Sequence, residues 1–297
     1  MKIFDCFMYF DEDLLLELRL NHLDKFVDKF VIIECDYNHK GDSKKPNFKI
    51  EKYKKFKSKI EYILLKDQPN DIMGINVNDS DIKINDKYIL NAAKRENFQR
   101  NYIKNCLTSA DSKDWIMISD LDEIPNLENI NFDNINHKFI FFKQDMMYYK
   151  FNLKLENYSW IGTKACRMKD LVSPQWLRNI KDRSYPWWRL DILFSNNKYG
   201  SIKFIDNGGW HFSYLKTPEE IEKKLKSYLH HREYELNPIG LDKIKFLIEQ
   251  KKTVYNLKTD QRLNKFNNEN KLRIIGINNL PKYIYDNKDR LKKWIEN

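Results

Sequence analysis

Three carboxylates stand within four residues at Asp120, Asp122 and Glu123, directly after an apolar run and shortly before Pro125. The run, residues 115–118, is rich in β-branched and aromatic side chains, which predicts a short buried strand. Open α/β sheets bind their ligands beyond the carboxyl ends of their strands. We therefore expect the three acids to lie at a binding site.

The spacing of these acids indicates what they would bind. Asp120 and Asp122 are two positions apart, so an unbroken strand would direct both to the same side of the sheet. Two hard oxygen ligands on one side suit a divalent cation that keeps some waters and also holds a diphosphate. A polar turn is the usual alternative for an isolated D-x-D. The strand before the acids and the proline after them favour the binding site.

A second candidate segment is residues 208–213, which read G-G-W-H-F-S. The two glycines allow the backbone to turn tightly or to approach a ligand closely. His211, taken alone, would more often be a hydrogen-bonded core histidine than a ligand. Thr217, Pro218 and Glu220 then show the cap, first-turn proline and capping-box glutamate of a helix N-terminus.

The first part of the chain supplies elements that would position these residues. Residues 3–10 and 30–33 are predicted strands, and an acidic, leucine-rich helix pattern lies between them. This βαβ pattern predicts a parallel sheet with its site above the strand ends. Glu34 ends the second strand, where it would either recognise a nucleoside or lie in an exposed acidic loop.

A long helix is predicted just before the acidic strand. Residues 67–86 form a polar insertion that is predicted to be a loop, and residues 88–110 follow with helical spacing. Arg100 on this helix would contact phosphates if the helix borders the site, and would otherwise form a surface salt bridge.

Three tryptophans are candidates for stacking on a bound ligand. Trp160 lies in a predicted strand, and Trp187 and Trp188 belong to an aromatic cluster further along. Aromatic rings of this kind stack on sugar faces, and packing in the core is the alternative.

The composition limits the classes of partner. A net charge of +10 favours anionic partners such as nucleotide diphosphates, nucleic acid or an acidic membrane surface. The basic residues are interleaved with acids, and no zinc finger, basic zipper or RNP-type motif is present. We therefore expect no nucleic-acid partner.

The compartment is predicted from the cysteines and the N-terminus. The four cysteines are widely separated, as is typical of free thiols in a reducing compartment. The sequence shows neither a signal-peptide pattern nor an apolar run long enough to span a bilayer. We expect a cytoplasmic protein that is free to work beside a membrane surface.

Several motifs occur together in one order and resemble a known family. They are Cys6-Phe7, the V-I-I-E run that leads to N-H-K-G at residues 38–41, S-D-L-D-E-I-P at residues 119–125 and G-G-W-H-F-S. Together they resemble glycosyltransferase family 17, the family of the β-1,4-mannosyl-glycoprotein β-1,4-N-acetylglucosaminyltransferase. The resemblance covers about residues 1–235.

The resemblance implies an α/β fold of the GT-A type, with a mostly parallel central sheet flanked by helices. Residues 1–235 would form the catalytic domain, and residues 236–297 a helical extension packed on it. It also implies a UDP-sugar donor, Mn²⁺ or Mg²⁺ as cofactor, and inversion at the anomeric carbon. Asp120 and Asp122 match the D-x-D that holds donor and metal, and His211 matches a third metal ligand.

The implied reaction is transfer of a sugar, expected to be GlcNAc, to a glycan hydroxyl. An inverting transfer needs a carboxylate base, for which Glu123, Asp145 and Asp206 are candidates. Two other functions stay open on the sequence alone: a metal-dependent nucleotidyltransferase and a basic nucleic-acid-binding protein. The oligomeric state is not predicted.

Overall fold

The computed structural model describes residues 1–186, 188–192, 194–228, 231–254 and 270–297. Its strands are β1 (Ile3–Met8), β2 (Lys29–Cys35), β3 (Ile60–Leu65), β4 (Trp115–Asp120), β5 (Glu123–Pro125), β6 (Phe139–Tyr148), β7 (Leu153–Arg167), β8 (Ile202–Ile205), β9 (Gly209–Ser213) and β10 (Leu272–Ile274). Its α-helices are α1 (Asp13–Leu23), α2 (Asp81–Cys106), α3 (Pro174–Asn179), α4 (Pro218–Ser227), α5 (His231–Leu236), α6 (Leu241–Glu249) and α7 (Lys282–Asp286).

One mixed sheet organises the residues that the structure describes. Its strand order is β3-β2-β1-β4-β7-β6-β9-β5, with β8 paired to β6 and β10 paired to β7. The β1, β2, β3 and β4 strands are parallel to one another. The β7 strand is antiparallel to both β4 and β6. The predicted α/β class is confirmed.

The sheet is mixed and not mostly parallel, which corrects the sequence-based expectation. The cause is the pair of long strands β6 and β7, which only residues 149–152 separate. So short a connection permits antiparallel pairing only, because a parallel pair requires a crossover of a dozen or more residues. The apolar runs predict the strands but not their direction.

Helix α2 begins earlier than the sequence suggests. The polar insertion was expected to extend to residue 86, whereas the helix starts at Asp81. Ser80 caps it, because its hydroxyl accepts a hydrogen bond from the Lys83 backbone N–H at 3.4 Å. The first turns of α2 are largely exposed, so polar side chains are tolerated there without an apolar face.

Helices cover both faces of the sheet. Leu16 of α1 and Ile284 of α7 pack in one apolar cluster, and Ile103 of α2 and Leu177 of α3 pack in another on the opposite face. A third apolar cluster packs α4, α5 and α6 against the C-terminal end of β6 and the N-terminal end of β7.

The division of the chain into two domains at residue 235 stays a prediction. In the described parts of the chain, no helix is both long and apolar enough to cross a membrane.

The buried His22 makes the stability of the fold dependent on pH. Its ring lies 5.4 Å from that of Trp210, and burial lowers the pKa of His22 to about 4. An unfolded histidine takes up its proton near pH 6.5, so the folded state loses stability as the pH falls from about 6.5 to about 4.

We therefore expect His22→Gln to flatten the pH dependence of the free energy of unfolding by up to about 3 kcal/mol over this interval. Urea denaturation of the wild type and the variant at a series of pH values measures the two slopes. Parallel pH profiles would contradict the assignment.

Candidate active site

A cavity of about 370 Å³ opens where the parallel strands β1, β2 and β4 end. This is the edge at which open α/β sheets bind ligands, and the volume suits a small molecule. Residues from seven parts of the fold line it, including Tyr9, Phe10, Glu12, Tyr37, His39, Gln99, Asp120, Asp122, Trp160, His211 and Lys224.

Strand pairing brings Asp122 and His211 together, although they are far apart in the chain. In the antiparallel β5–β9 pair, Glu123 stands opposite His211, and the Phe212 N–H donates to the Asp122 carbonyl at 2.9 Å. The His211 Nε2 then lies 3.4 Å from Asp122 Oδ1. Burial disfavours a charged ring, but the nearby Asp122 carboxylate outweighs it and raises the pKa of His211 above its ordinary value.

Lys224 of α4 adds a positive charge at the same place. Its Nζ lies 3.8 Å from Asp122 Oδ2 and 3.5 Å from Glu12 Oε1. Burial opposes ionisation of this amine, yet Glu12 and Asp122 together raise the pKa of Lys224. The pKa of Asp122 is lowered, because His211 and Lys224 outweigh the effect of its burial. The cavity therefore contains a carboxylate, an imidazole and an ammonium group in contact.

Asp120 has different partners from Asp122. Strand β4 ends at Asp120, so the unbroken strand assumed from the D-x-D spacing is absent. Asp120 Oδ1 accepts from Arg100 at 2.9 Å, and Oδ2 accepts from Arg178 at 3.3 Å. Burial alone would raise the pKa of Asp120, but these two guanidinium groups outweigh it and hold the pKa well below its usual range.

Glu123 is fully buried and fully hydrogen-bonded. Its carboxylate accepts from the Trp160 indole at 2.6 Å, from Arg178 at 2.7 and 2.9 Å, and from the Asp120 backbone N–H at 2.8 Å. A carboxylate has about four acceptor positions, and all of them are used here. Glu123 thus fixes the turn and the Trp160 indole, and it is absent from the cavity lining.

Arg19 of α1 stabilises the acidic turn, residues 120–123, by hydrogen bonds to its backbone. Its guanidinium donates to the carbonyl oxygens of Asp120, Leu121 and Glu123 at 3.1, 3.2 and 2.8 Å. The same group pairs with the buried Asp5 carboxylate at 2.6 and 2.7 Å. An arginine and an aspartate inside apolar segments are a signal for such pairing, because buried charges are rarely left alone.

Several predicted site residues lie away from the cavity. Asp145 pairs with Lys154 at 2.6 Å, and Asp206 pairs with Lys143 at 2.8 Å with 77% of its side chain exposed. Arg100 is buried against Glu96 and Asp120 behind the turn.

Glu34 also turns away from the cavity. Its carboxylate accepts from Lys44, from the backbone N–H groups of Asn47 and Phe48, and from the Tyr62 hydroxyl. It therefore stabilises the segment after β2 and does not line the cavity.

The three tryptophans differ in position. Trp160 lines the cavity, with its ring centroid 5.4 Å from that of His211. Trp188 is 66% exposed and does not line the cavity. Trp187 lies outside the described residues.

Sequence reasoning missed Glu12, Lys224 and Arg178. Glu12 belongs to the acidic start of the first helix pattern, and Lys224 is one of many basic residues interleaved with acids, so neither stands out in the sequence. No local pattern marks Arg178, since its partners Asp120 and Glu123 are more than 50 positions away.

Comparison with known proteins decides the class. A family model described as glycosyltransferase family 17 matches residues 1–173, more than half of the chain. The chain belongs to this family. It is therefore a glycosyltransferase, with a sugar donor and an acceptor as its substrates. No curated protein shows a match to this glycosyltransferase. The matched segment contains the acidic turn and ends before Arg178, His211 and Lys224.

Proposed function

We propose that this glycosyltransferase has a GT-A type fold and transfers GlcNAc from a UDP-sugar to a glycan hydroxyl, with inversion and with Mn²⁺ or Mg²⁺ as cofactor. The observation that carries the proposal is the meeting of Asp122, His211 and Lys224 in a cavity above parallel strand ends. Such a site suits a diphosphate bound through a dication. The sugar and the stereochemistry follow from the motif resemblance.

The residues present fit a dication with two protein ligands. Two ligands at about 2.1 Å from one ion and at right angles lie about 3 Å apart, close to the 3.4 Å between His211 Nε2 and Asp122 Oδ1. In the described ranges, no group of three or more His, Cys, Asp or Glu side chains could hold a metal. Diphosphate oxygens and water would complete the shell, as is usual for Mg²⁺ with phosphates. When bound, the ion neutralises the charge of the departing diphosphate.

Asp120 and Lys224 add charges beside the pair formed by Asp122 and His211. Asp120 lines the cavity with its carboxylate held by two arginines, so it contributes negative charge near His211 at a fixed position. The Lys224 ammonium stands beside Asp122 and can donate to a phosphate oxygen, replacing the role first considered for Arg100. Fixed donors at developing charge are a major source of rate enhancement.

Glu12 is the carboxylate to which we assign the role of base. Glu123 has no free acceptor position, and neither Asp145 nor Asp206 lines the cavity. Glu12 does line it. Burial alone would raise the pKa of Glu12, but the positive charges of Lys224 and Lys216 outweigh it and lower the pKa. The carboxylate therefore stays in the ionised form that a base requires.

We expect Glu12→Gln to lower kcat by roughly 10²- to 10⁴-fold, the usual contribution of a positioned base. The affinity for UDP should change by much less, because the amide keeps the shape of the side chain. Asp206→Asn and Asp145→Asn are the matched controls and should keep wild-type kcat. Loss of activity in either control, with an active Glu12→Gln, would move the base to that residue.

A donor screen tests the proposed function itself. Hydrolysis of UDP-GlcNAc, UDP-Glc, UDP-Gal and GDP-mannose is measured with Mn²⁺ and with EDTA. We expect turnover of UDP-GlcNAc that depends on the metal. Turnover confined to the GDP-sugar, or unchanged in EDTA, would overturn the proposal.

A further inference from the structure

The N-H-K-G motif at residues 38–41 forms a rigid loop at the end of β2. The Asn38 side-chain oxygen accepts from the backbone N–H groups of Gly41 and Asp42, both at 2.9 Å. Arg95 of α2 donates to the Lys40 carbonyl at 3.1 Å. Gly41 has a φ of +110°, and a Cβ there would lie 2.6 Å from the Arg95 guanidinium. The loop is therefore fixed from inside and from α2.

The ring of the remaining residue, His39, is oriented by a chain of hydrogen bonds. The Gln99 Nε2 donates to the Ile33 carbonyl at 3.0 Å, and since a carbonyl only accepts, this bond fixes which way the amide points. The Gln99 Oε1 then faces His39 Nε2 at 3.2 Å. An amide oxygen cannot donate, so His39 must carry its proton on Nε2.

A neutral imidazole with its proton on Nε2 has an acceptor lone pair on Nδ1. His39 lines the cavity, and within the described residues its Nδ1 has no hydrogen-bond partner. His39 thus offers an acceptor nitrogen on a ring whose orientation is fixed. Phe10 and Tyr37 also line the cavity and supply aromatic surface for a planar ring.

The position of His39 indicates which part of the donor it meets. It follows β2, which is separated from β4 by β1 alone. Two strand spacings separate the end of β2, from which the loop with His39 continues, from the end of β4 and the acidic turn by roughly 10 Å. With the diphosphate at Asp122 and His211, that distance corresponds to the span across a ribose to the nucleobase.

We propose that His39 is a specificity-determining residue whose Nδ1 accepts a hydrogen bond from a ring N–H of the nucleobase, as in uracil. This inference rests on the proposed function, because it requires a nucleoside diphosphate in the cavity. Uracil carries a proton on N3, whereas the N3 of cytosine is itself an acceptor and would face the lone pair of His39. Gln99 is a positioning residue that acts through His39.

Binding of UDP, 3-methyl-UDP and CDP in the presence of Mn²⁺ tests the inference by calorimetry at pH 8. The wild type should bind UDP at least about 10-fold more tightly than either analogue, since each leaves the Nδ1 acceptor of His39 without a donor. His39→Leu should reduce this ratio to within about 3-fold. His39→Gln should largely keep it, because a glutamine can donate to Gln99 and still accept from the base.

The outcomes separate this inference from the proposed function. If UDP binds but the wild type does not distinguish it from 3-methyl-UDP, or His39→Leu keeps the wild-type ratio, the role of His39 is overturned while the donor site stands. If UDP with Mn²⁺ does not bind at all, both are overturned. Should His39→Leu fail to fold, the wild-type ratios and His39→Gln still decide.

Discussion

We expect the replacement of Asp122 with asparagine to lower sugar transfer by at least about 10³-fold, equivalent to about 4 kcal/mol of transition-state stabilisation. The substitution keeps the shape of the side chain but removes the negative charge that faces both His211 and Lys224. His211 and Lys224 would then remain without the carboxylate that they share. Donor hydrolysis and transfer assays measure the loss.

The control for this variant is Asp206→Asn, the same chemical change at a side chain that is 77% exposed and outside the cavity. It should keep wild-type turnover, and both variants should melt close to the wild type. Wild-type turnover of Asp122→Asn, or full activity of the wild type in EDTA, would end the metal-site account.

The second large effect is expected for His211→Ala. If Nε2 holds the metal, its removal should weaken Mn²⁺ binding by about 10-fold or more, as for other disrupted metal shells. The melting temperature should change much less, because Trp210 and Phe212 remain packed and His211 Nδ1 has no hydrogen-bond partner to lose among the described residues. Protons compete for Nε2, so wild-type Mn²⁺ affinity should fall as the pH is lowered through the raised pKa of His211.

His22→Ala is the matched control, since His22 is also buried but does not line the cavity. We expect the opposite result for His22→Ala: the melting temperature falls, while the Mn²⁺ affinity of the folded protein stays normal. An Mn²⁺ titration and a melting curve for each variant decide the matter. Destabilised His211→Ala with unchanged affinity would make His211 a core residue.

The sequence predicted the features that depend on short segments. The apolar runs of β1, β2 and β4 are bounded by polar residues, so these strands could be predicted, and the parallel pairing of β1 with β2 follows from the βαβ pattern. The acidic turn and His211 were found because their motifs are contiguous. Asp120, Asp122 and His211 line one cavity, and their functional roles stay predictions.

What the sequence could not predict is which distant charges pair. Glu34 lies near the end of β2, but a strand pattern does not say that its carboxylate faces the segment at residues 44–48. Lys224 is one of many lysines, and only the packing of α4 places it between Glu12 and Asp122. Long-range pairing of this kind has no local signature, because surface and buried charges share the same residue types.

Thermal stabilisation by UDP and Mn²⁺ tests the central claim most directly, namely that the cavity binds a nucleoside diphosphate through a metal held by Asp122 and His211. A ligand that binds only the folded state raises Tm by an amount that grows with the ratio of its free concentration to its Kd. We predict a clear rise in Tm with UDP and Mn²⁺ together, and little change with either alone. An equal rise with UDP alone, or no rise with both, would contradict the account.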